Sequence, residues 1–198
     1  MTERRHRRSI RLKGYDYSAA GAYFVTVCVK SRECLFGEIV GGEVRLNEVG
    51  MIVEDEWRRS ERLRDEIVLD EWVVMPNHVH GIVIVDHERH ESSPTRATAL
   101  VSSSASVGAY GHTPLRSPSK TIGAMIRGFK SSATKRINEQ RGTPGVPVWQ
   151  RNYYEHVVRD EDSIERIRLY IAENPAKWAY DRENPEADPK GTREKWAV

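Results

Sequence analysis

No stretch of this 198-residue chain is apolar for long enough to cross a bilayer as a helix, a task that takes roughly 20 consecutive apolar residues. A membrane-spanning helix is therefore not expected. The basic start has no apolar segment behind it, so no signal peptide is expected either. Cysteine is nearly missing: Cys28 and Cys34 are the two, and their spacing is not that of a zinc site. A disulfide framework is excluded, and reduced thiols in a cytoplasmic protein are expected. Internal repeats are also lacking, which excludes a solenoid or propeller. What remains is a polar chain, 38% hydrophobic and 30% charged, long enough for one domain with a real core.

Net charge is almost absent at +2, yet charge is unevenly spread. Residues 1–13 hold Arg4, Arg5, Arg7, Arg8, Arg11 and Lys13 against Glu3. Residues 119–141 hold Lys120, Arg127, Lys130, Lys135, Arg136 and Arg141 against Glu139, whereas 54–71 carry eight acids and four bases. Two basic segments in a near-neutral chain point to a polyanion such as nucleic acid. The plainer reading is a basic tail and the solvated face of a helix.

The first residues are poor in apolar side chains and read as an arm. Tyr23 to Lys30 is rich in β-branched and aromatic residues and reads as a central strand. Residues 38–46 form a hairpin around Gly41-Gly42, outside the main sheet. Asn47 is a fitting N-cap for a helix to about Leu63, with Val49, Ile52, Val53 and Trp57 at helical spacing. Ile67 to Met75 is a second strand, broken by Pro76-Asn77 before a third. Residues 86–118, with serine clusters at 92–93 and 102–104, read as a flexible insertion. A helix over about 119–140 carries the stripe Ile122, Ile126, Phe129, Ala133 and Ile137, with Gly142 as its stop. Val148 to Val158 reads as extended. The last helix starts near Asp160-Glu161-Asp162, acids that complement its dipole, buries Ile164, Ile167 and Ile171, and ends at Pro175. This order predicts an α+β fold, a ferredoxin-like split βαβ sandwich with a mostly antiparallel central sheet, helices on one side and a C-terminal tyrosine-bearing helix. The expected division is an arm over 1–20, one catalytic domain over 21–178 and an irregular tail over 179–198.

The third strand begins His78-Val79-His80. Alternation in a strand sets both imidazoles on one face with Ile82 and Ile84. Such a pair either converges on one metal ion or satisfies itself with hydrogen bonds at the end of a core strand. On the last helix Tyr170 and Asn174 are four residues apart and share a face, at the edge of the buried stripe. Alone they read equally as a boundary tyrosine and a helix C-terminus. His87, His90, His112 and His156 are left without an assigned role.

Several motifs then fall in order: Ser9-Ile-Arg-Leu12 and Tyr15-Asp-Tyr17; Gly21-Ala-Tyr-Phe-Val-Thr-Val27; Trp72-Val-Val-Met-Pro-Asn-His-Val-His80; Gly128-Phe-Lys-Ser131; Trp149-Gln-Arg-Asn-Tyr-Tyr-Glu-His-Val-Val-Arg159; and Ile167-Arg-Leu-Tyr-Ile-Ala-Glu-Asn-Pro175. Spanning about residues 9–178, this set resembles the REP-associated tyrosine transposases, single-tyrosine members of the His-hydrophobic-His endonuclease superfamily. The resemblance implies that His78 and His80 bind Mg²⁺ or Mn²⁺, with Asn174 as third ligand. It implies that Tyr170 is the nucleophile. Tyr153 and Tyr154 compete for that role, but the positions four residues on are Val157 and Val158. A departure from the pattern is Pro175 directly after Asn174. The implied activity is cleavage and strand transfer on hairpin-bearing single-stranded DNA from repetitive palindromes. It would proceed through a 5′-phosphotyrosine, with no nucleotide cofactor, in a nucleoid-associated monomer or homodimer. The alternatives are a domesticated hairpin-binding protein that does not cut and, more weakly, an RNA-binding ferredoxin-like module. Basic grooves hold single strands. The expected DNA contacts are Arg4, Arg5, Arg7, Arg8, Arg11 and Lys13 of the arm, then Arg127 and Lys130.

Overall fold

The computed structural model describes residues 19–87 and 120–187. The basic arm Arg4 to Lys13 and nearly all of the 86–118 stretch lie outside the described residues. In chain order the elements are β1 (Gly21–Cys28), β2 (Gly37–Val40), β3 (Glu43–Leu46), α1 (Glu48–Arg62), β4 (Ile67–Met75), β5 (His78–Val85), α2 (Ile122–Arg141), β6 (Tyr154–Val158) and α3 (Glu161–Glu173). The main sheet runs β4-β5-β1-β6 with every neighbour antiparallel, and β2-β3 form the separate hairpin. This is the split-βαβ arrangement read from the sequence. The helices α1 and α2 pack together on one face, and the tyrosine-bearing α3 covers the other.

Local chemistry sets the helix ends. The Asn47 side chain accepts from the Gly50 N–H and starts α1. Thr121 does the same for Ala124 at the head of α2, so that helix begins at Ile122, the first residue of its apolar stripe, rather than at the expected residue 119. Gly142 closes α2 at φ 63°, a left-handed position that favours glycine. Asp160 caps α3 by accepting from Ser163 N–H.

On the α1/α2 face, Tyr23, Val25, Val27, Val79 and Val83 pack under Trp57 and Phe129, whose rings meet edge to face at 5.0 Å. Gly81 of β5 lies beneath Trp57; a Cβ there would be 2.7 Å from the indole. The acidic and basic segments partly answer each other across this layer. Arg136 of α2 bonds Asp55 and the buried Glu56 of α1, the latter at 2.7 Å, and Gln140 donates to Glu48. Part of the charge asymmetry is thus used to dock α2 on α1.

On the other face Phe24 and Ile82 pack against Ile164, Ile167 and Ile171 of α3. The edge strand β4 breaks register between Leu69 and Trp72. Asp70, inside that irregularity, receives Arg168 of α3 with Nε at 3.1 Å from both carboxylate oxygens and Nη2 at 2.6 Å from one. This fork-to-fork contact fixes α3 along the sheet.

Candidate metal centre and nucleophile

The β1–β5 register sets Cys28 opposite His78 and Thr26 opposite His80. Both imidazoles therefore emerge on the α3 face, buried, with ring centroids 4.3 Å apart. The hydrogen bonds around them fix which nitrogen is available. Asn77, in the tight turn before β5, donates its Nδ2 to Arg32 O at 3.0 Å and Glu183 O at 2.7 Å. Carbonyl oxygens only accept, so the amide can face only one way, and its Oδ1 meets His78 Nδ1 at 2.8 Å. The proton must then lie on Nδ1. His78 Nε2 is left with its lone pair, buried and without a hydrogen-bond partner. Burial, reinforced by the neighbouring His80, pushes the His78 pKa well down, so the ring is neutral.

His80 Nδ1 lies 2.9 Å from Thr26 Oγ1. Its Nε2 is 3.3 Å from the Tyr170 hydroxyl and 3.9 Å from Asp181 Oδ2; the second distance is too long for a hydrogen bond. Tyr170 reaches this point from α3 with its ring edge-on to Phe24. Asn174, at the C-cap of α3, is buried and donates Nδ2 to Asp181 Oδ2 at 2.9 Å, while its Oδ1 has no partner. Burial works to raise the Asp181 pKa. The His80 contact, the polar histidine rings around it and the Glu183 N–H outweigh it, and the carboxyl stays ionised.

Nitrogens of His78 and His80 and an oxygen of Asp181 lie within 4.8 Å of one another. The donor set fits a divalent cation. Two imidazoles and a carboxylate suit first-row metals, and the unpaired, buried His78 Nε2 and Asn174 Oδ1 are acceptors awaiting an electrophile. Each histidine has its other nitrogen held by a polar partner, the arrangement that orients metal ligands.

Asp181 was not expected, since the sequence reading ends the domain at 178. Pro175 does end the helix, but the chain then turns through Trp178–Tyr180 and returns to the histidine strand. The buried Asp181 and Glu183 anchor that return. No spacing rule links Asp181 to His80. The one legible hint was that a turn residue, Asn77, sits directly before a buried histidine. Around Glu183, Arg32 Nε lies 3.3 Å from Oε2 and Arg182 Nε 2.9 Å from Oε1, and the Cys28 thiol contacts Oε2 at 3.6 Å. Burial lowers the Arg182 pKa, but the contact with Glu183 raises it on balance.

The other expected residues are scattered. Tyr154 packs edge-on to Phe24 at 6.2 Å, and Tyr153 lies on the opposite face against the α1/α2 core. His156 stands opposite Phe24 on β6. Arg127 is exposed on α2. Lys130 is half-buried and donates to the carbonyls of Gln150 at 3.0 Å and Asn152 at 2.9 Å; burial pushes its pKa down to about 8.

No protein-family model matches the chain. The sequence is 39% identical over 181 residues to an uncharacterized protein of Haemophilus influenzae, covering 89% of this chain and 92% of that one. Among solved structures, a REP-associated tyrosine transposase bound to a REP hairpin overlays with a TM-score of 0.49 at 19% identity, over 90% of this chain and 74% of that one. A transposase candidate from Deinococcus radiodurans overlays with a TM-score of 0.42 at 17% identity, over 82% of this chain and 95% of that one.

Proposed function

This chain and the Haemophilus influenzae protein belong to one family, and we propose that it is a metal-dependent endonuclease and strand transferase acting on hairpin-bearing single-stranded DNA. One observation carries this reading. The lone pair of the buried His78 Nε2 has no partner, it belongs to the same cluster as His80 and Asp181, and the Tyr170 hydroxyl stands 3.3 Å from His80 Nε2. A tyrosine held against a cation-binding cluster suits attack on an anionic phosphodiester. The ordered motifs from Ser9 to Pro175 support the same assignment.

His78, His80 and the Asn174–Asp181 pair would hold the cation, Mg²⁺ or Mn²⁺. When bound, it supplies positive charge to the non-bridging phosphate oxygens. Tyr170 is the nucleophile. As its oxygen bonds to phosphorus its proton leaves, the bond to the 3′ oxygen breaks, and that oxygen takes up a proton. The products are a 5′-phosphotyrosine and a free 3′-hydroxyl. The phosphodiester's bond energy is kept in the tyrosyl ester, so rejoining needs no nucleotide cofactor. Thr26 and Asn77 keep the two imidazoles in place, and Phe24 packs edge-on with the tyrosine ring.

The test is a denaturing gel of an end-labelled single-stranded hairpin taken from the flanking chromosome, with and without Mn²⁺. A covalent protein–DNA band is expected from the unmodified protein and is lost in Tyr170→Phe, while hairpin binding persists. An undiminished band from that variant would remove Tyr170 from the role. Hairpin binding with no band under either metal would instead favour a protein that binds palindromic DNA without cutting it.

A further inference from the structure

We propose that Arg32 and Arg182 form a phosphate clamp, organised by the buried carboxylate of Glu183, that grips a nucleic-acid phosphodiester beside Tyr170. The inference rests on the nucleic-acid reading above, and it concerns binding rather than bond cleavage.

Glu183 is 5% exposed and sits between the two arginines. Each guanidinium contacts it through Nε, at 3.3 Å for Arg32 and 2.9 Å for Arg182. Arg32 uses Nη1 on the Arg182 carbonyl at 3.1 Å. Nη2 of Arg32 and both Nη groups of Arg182 make no hydrogen bond among the described residues, and the arginine side chains are 48% and 77% exposed. A guanidinium tethered by Nε presents its outer nitrogens in a fixed plane, the geometry that matches phosphate oxygens. Two arginines against one carboxylate leave a net positive charge to receive an anion.

The backbone gives an independent reason to see a built site. Ser31 and Arg32 have φ of 64° and 59°, left-handed conformations that non-glycine residues rarely adopt. Strain of this kind persists only where the surroundings enforce it, and it clusters at functional sites. Here Asn77 enforces it by bonding the Arg32 carbonyl, and the same amide bonds Glu183 O. One side chain thus joins the strained turn, the backbone of Glu183 and His78. Location supports the same conclusion. Asp181, in the metal cluster, directly precedes Arg182, and the Glu183 carboxylate receives the thiol of Cys28, the cross-strand partner of His78.

The experiment measures hairpin-DNA affinity of the full chain across a salt series, for the unmodified protein and for Arg32→Gln, Arg182→Gln, Arg182→Lys and Glu183→Gln. Each Arg→Gln change is expected to weaken binding about tenfold, the order of one charge-assisted hydrogen bond. It should also flatten the salt dependence by about 0.7 for each single-strand phosphate that is no longer neutralised. Arg182→Lys recovers part of the affinity. Glu183→Gln is the sharpest arm. Removing an acid should tighten binding to a polyanion if only net charge mattered, whereas losing the carboxylate that orients both arginines should loosen it. Thermal unfolding checks that this variant folds; if it does not, the Arg182 arms decide alone. An unchanged salt slope in Arg182→Gln, or tighter binding by a folded Glu183→Gln, overturns the clamp. A hairpin that binds with the expected slopes but forms no covalent band overturns the cleavage reading and leaves the clamp standing. A covalent band with unchanged slopes does the reverse.

Discussion

Replacing Asn77 separates two jobs that one amide performs. Its Oδ1 accepts from His78 Nδ1 at 2.8 Å and so fixes the proton on that nitrogen. Its Nδ2 holds the carbonyls of Arg32 and Glu183. Asn77→Ala removes all three bonds at a position only 1% exposed. With each stranded buried group costing about 1–3 kcal/mol, and some relief from water entering the gap, a loss of roughly 3–5 kcal/mol of stability is expected. The effect on cation binding is separate. His78 loses the partner that selects its tautomer and aims its ring, a change that typically costs about 10–100-fold in metal affinity. Asn77→Asp keeps an acceptor for His78 Nδ1 but turns a carboxylate oxygen toward two carbonyls. Cation affinity should survive or improve, while the turn at Ser31–Arg32 and the return segment at Glu183 loosen. Mn²⁺ titration followed by electron paramagnetic resonance reads the first effect. Urea unfolding and limited proteolysis read the second. The reasoning fails if Asn77→Ala binds Mn²⁺ as tightly as the unmodified protein, or if Asn77→Asp and Asn77→Ala lose affinity alike.

Gly81→Ala puts a methyl carbon 2.7 Å from the Trp57 ring; a destabilisation of about 1–3 kcal/mol is expected for overpacking of this kind, and an unchanged urea midpoint would show that the indole moves aside. Lys130 makes stability depend on pH: with a folded pKa of about 8 against the usual 10.5, the unfolded chain binds more protons between those values, so stability rises with pH from about 8. Above pH 9 Cys28 works against this, because burial, with help from Glu183, pushes its thiol up to about 12 and the unfolded chain then holds fewer protons. Unfolding measured at pH 7.5, 8.5 and 9 should therefore show a rise that Lys130→Met abolishes; a rise that persists in the variant removes Lys130 as its source.

The parts of the fold governed by short-range rules were readable in the chain. The span Ile67 to Met75 is β4 residue for residue, because its apolar pattern is bounded by Asp65 and Pro76. Asn47 and Gly142 mark helix ends because side-chain capping and left-handed φ are local chemistry. The common face of His78 and His80 follows from strand alternation alone. What was not legible depends on contacts distant in sequence. Asp181 meets His80 across 101 positions by way of a turn after Pro175, and nothing in a run of Asp, Glu, Asn and Pro distinguishes a docked return from a solvated tail. The carbonyls of Gln150 and Asn152 that Lys130 bonds come likewise from a distant segment, the chain before β6. The bases of 119–141 read as one basic segment, yet Arg136 bonds Glu56 of α1. Periodicity shows which side of a helix is apolar, but not which charges a neighbouring helix will neutralise.

The break of register in β4 also governs how copies of this chain can meet. An edge strand offers unpaired N–H and C=O groups to any other strand, and β4 is the edge of this sheet. To continue the sheet into a second molecule, β4 would have to straighten through Asp70 and Glu71. That would bring like charges together along the new seam and pull Asp70 away from Arg168. Arg168 is two residues from Tyr170 on the same helix. The lock that holds the tyrosine helix in place is thus also a guard against edge-to-edge aggregation.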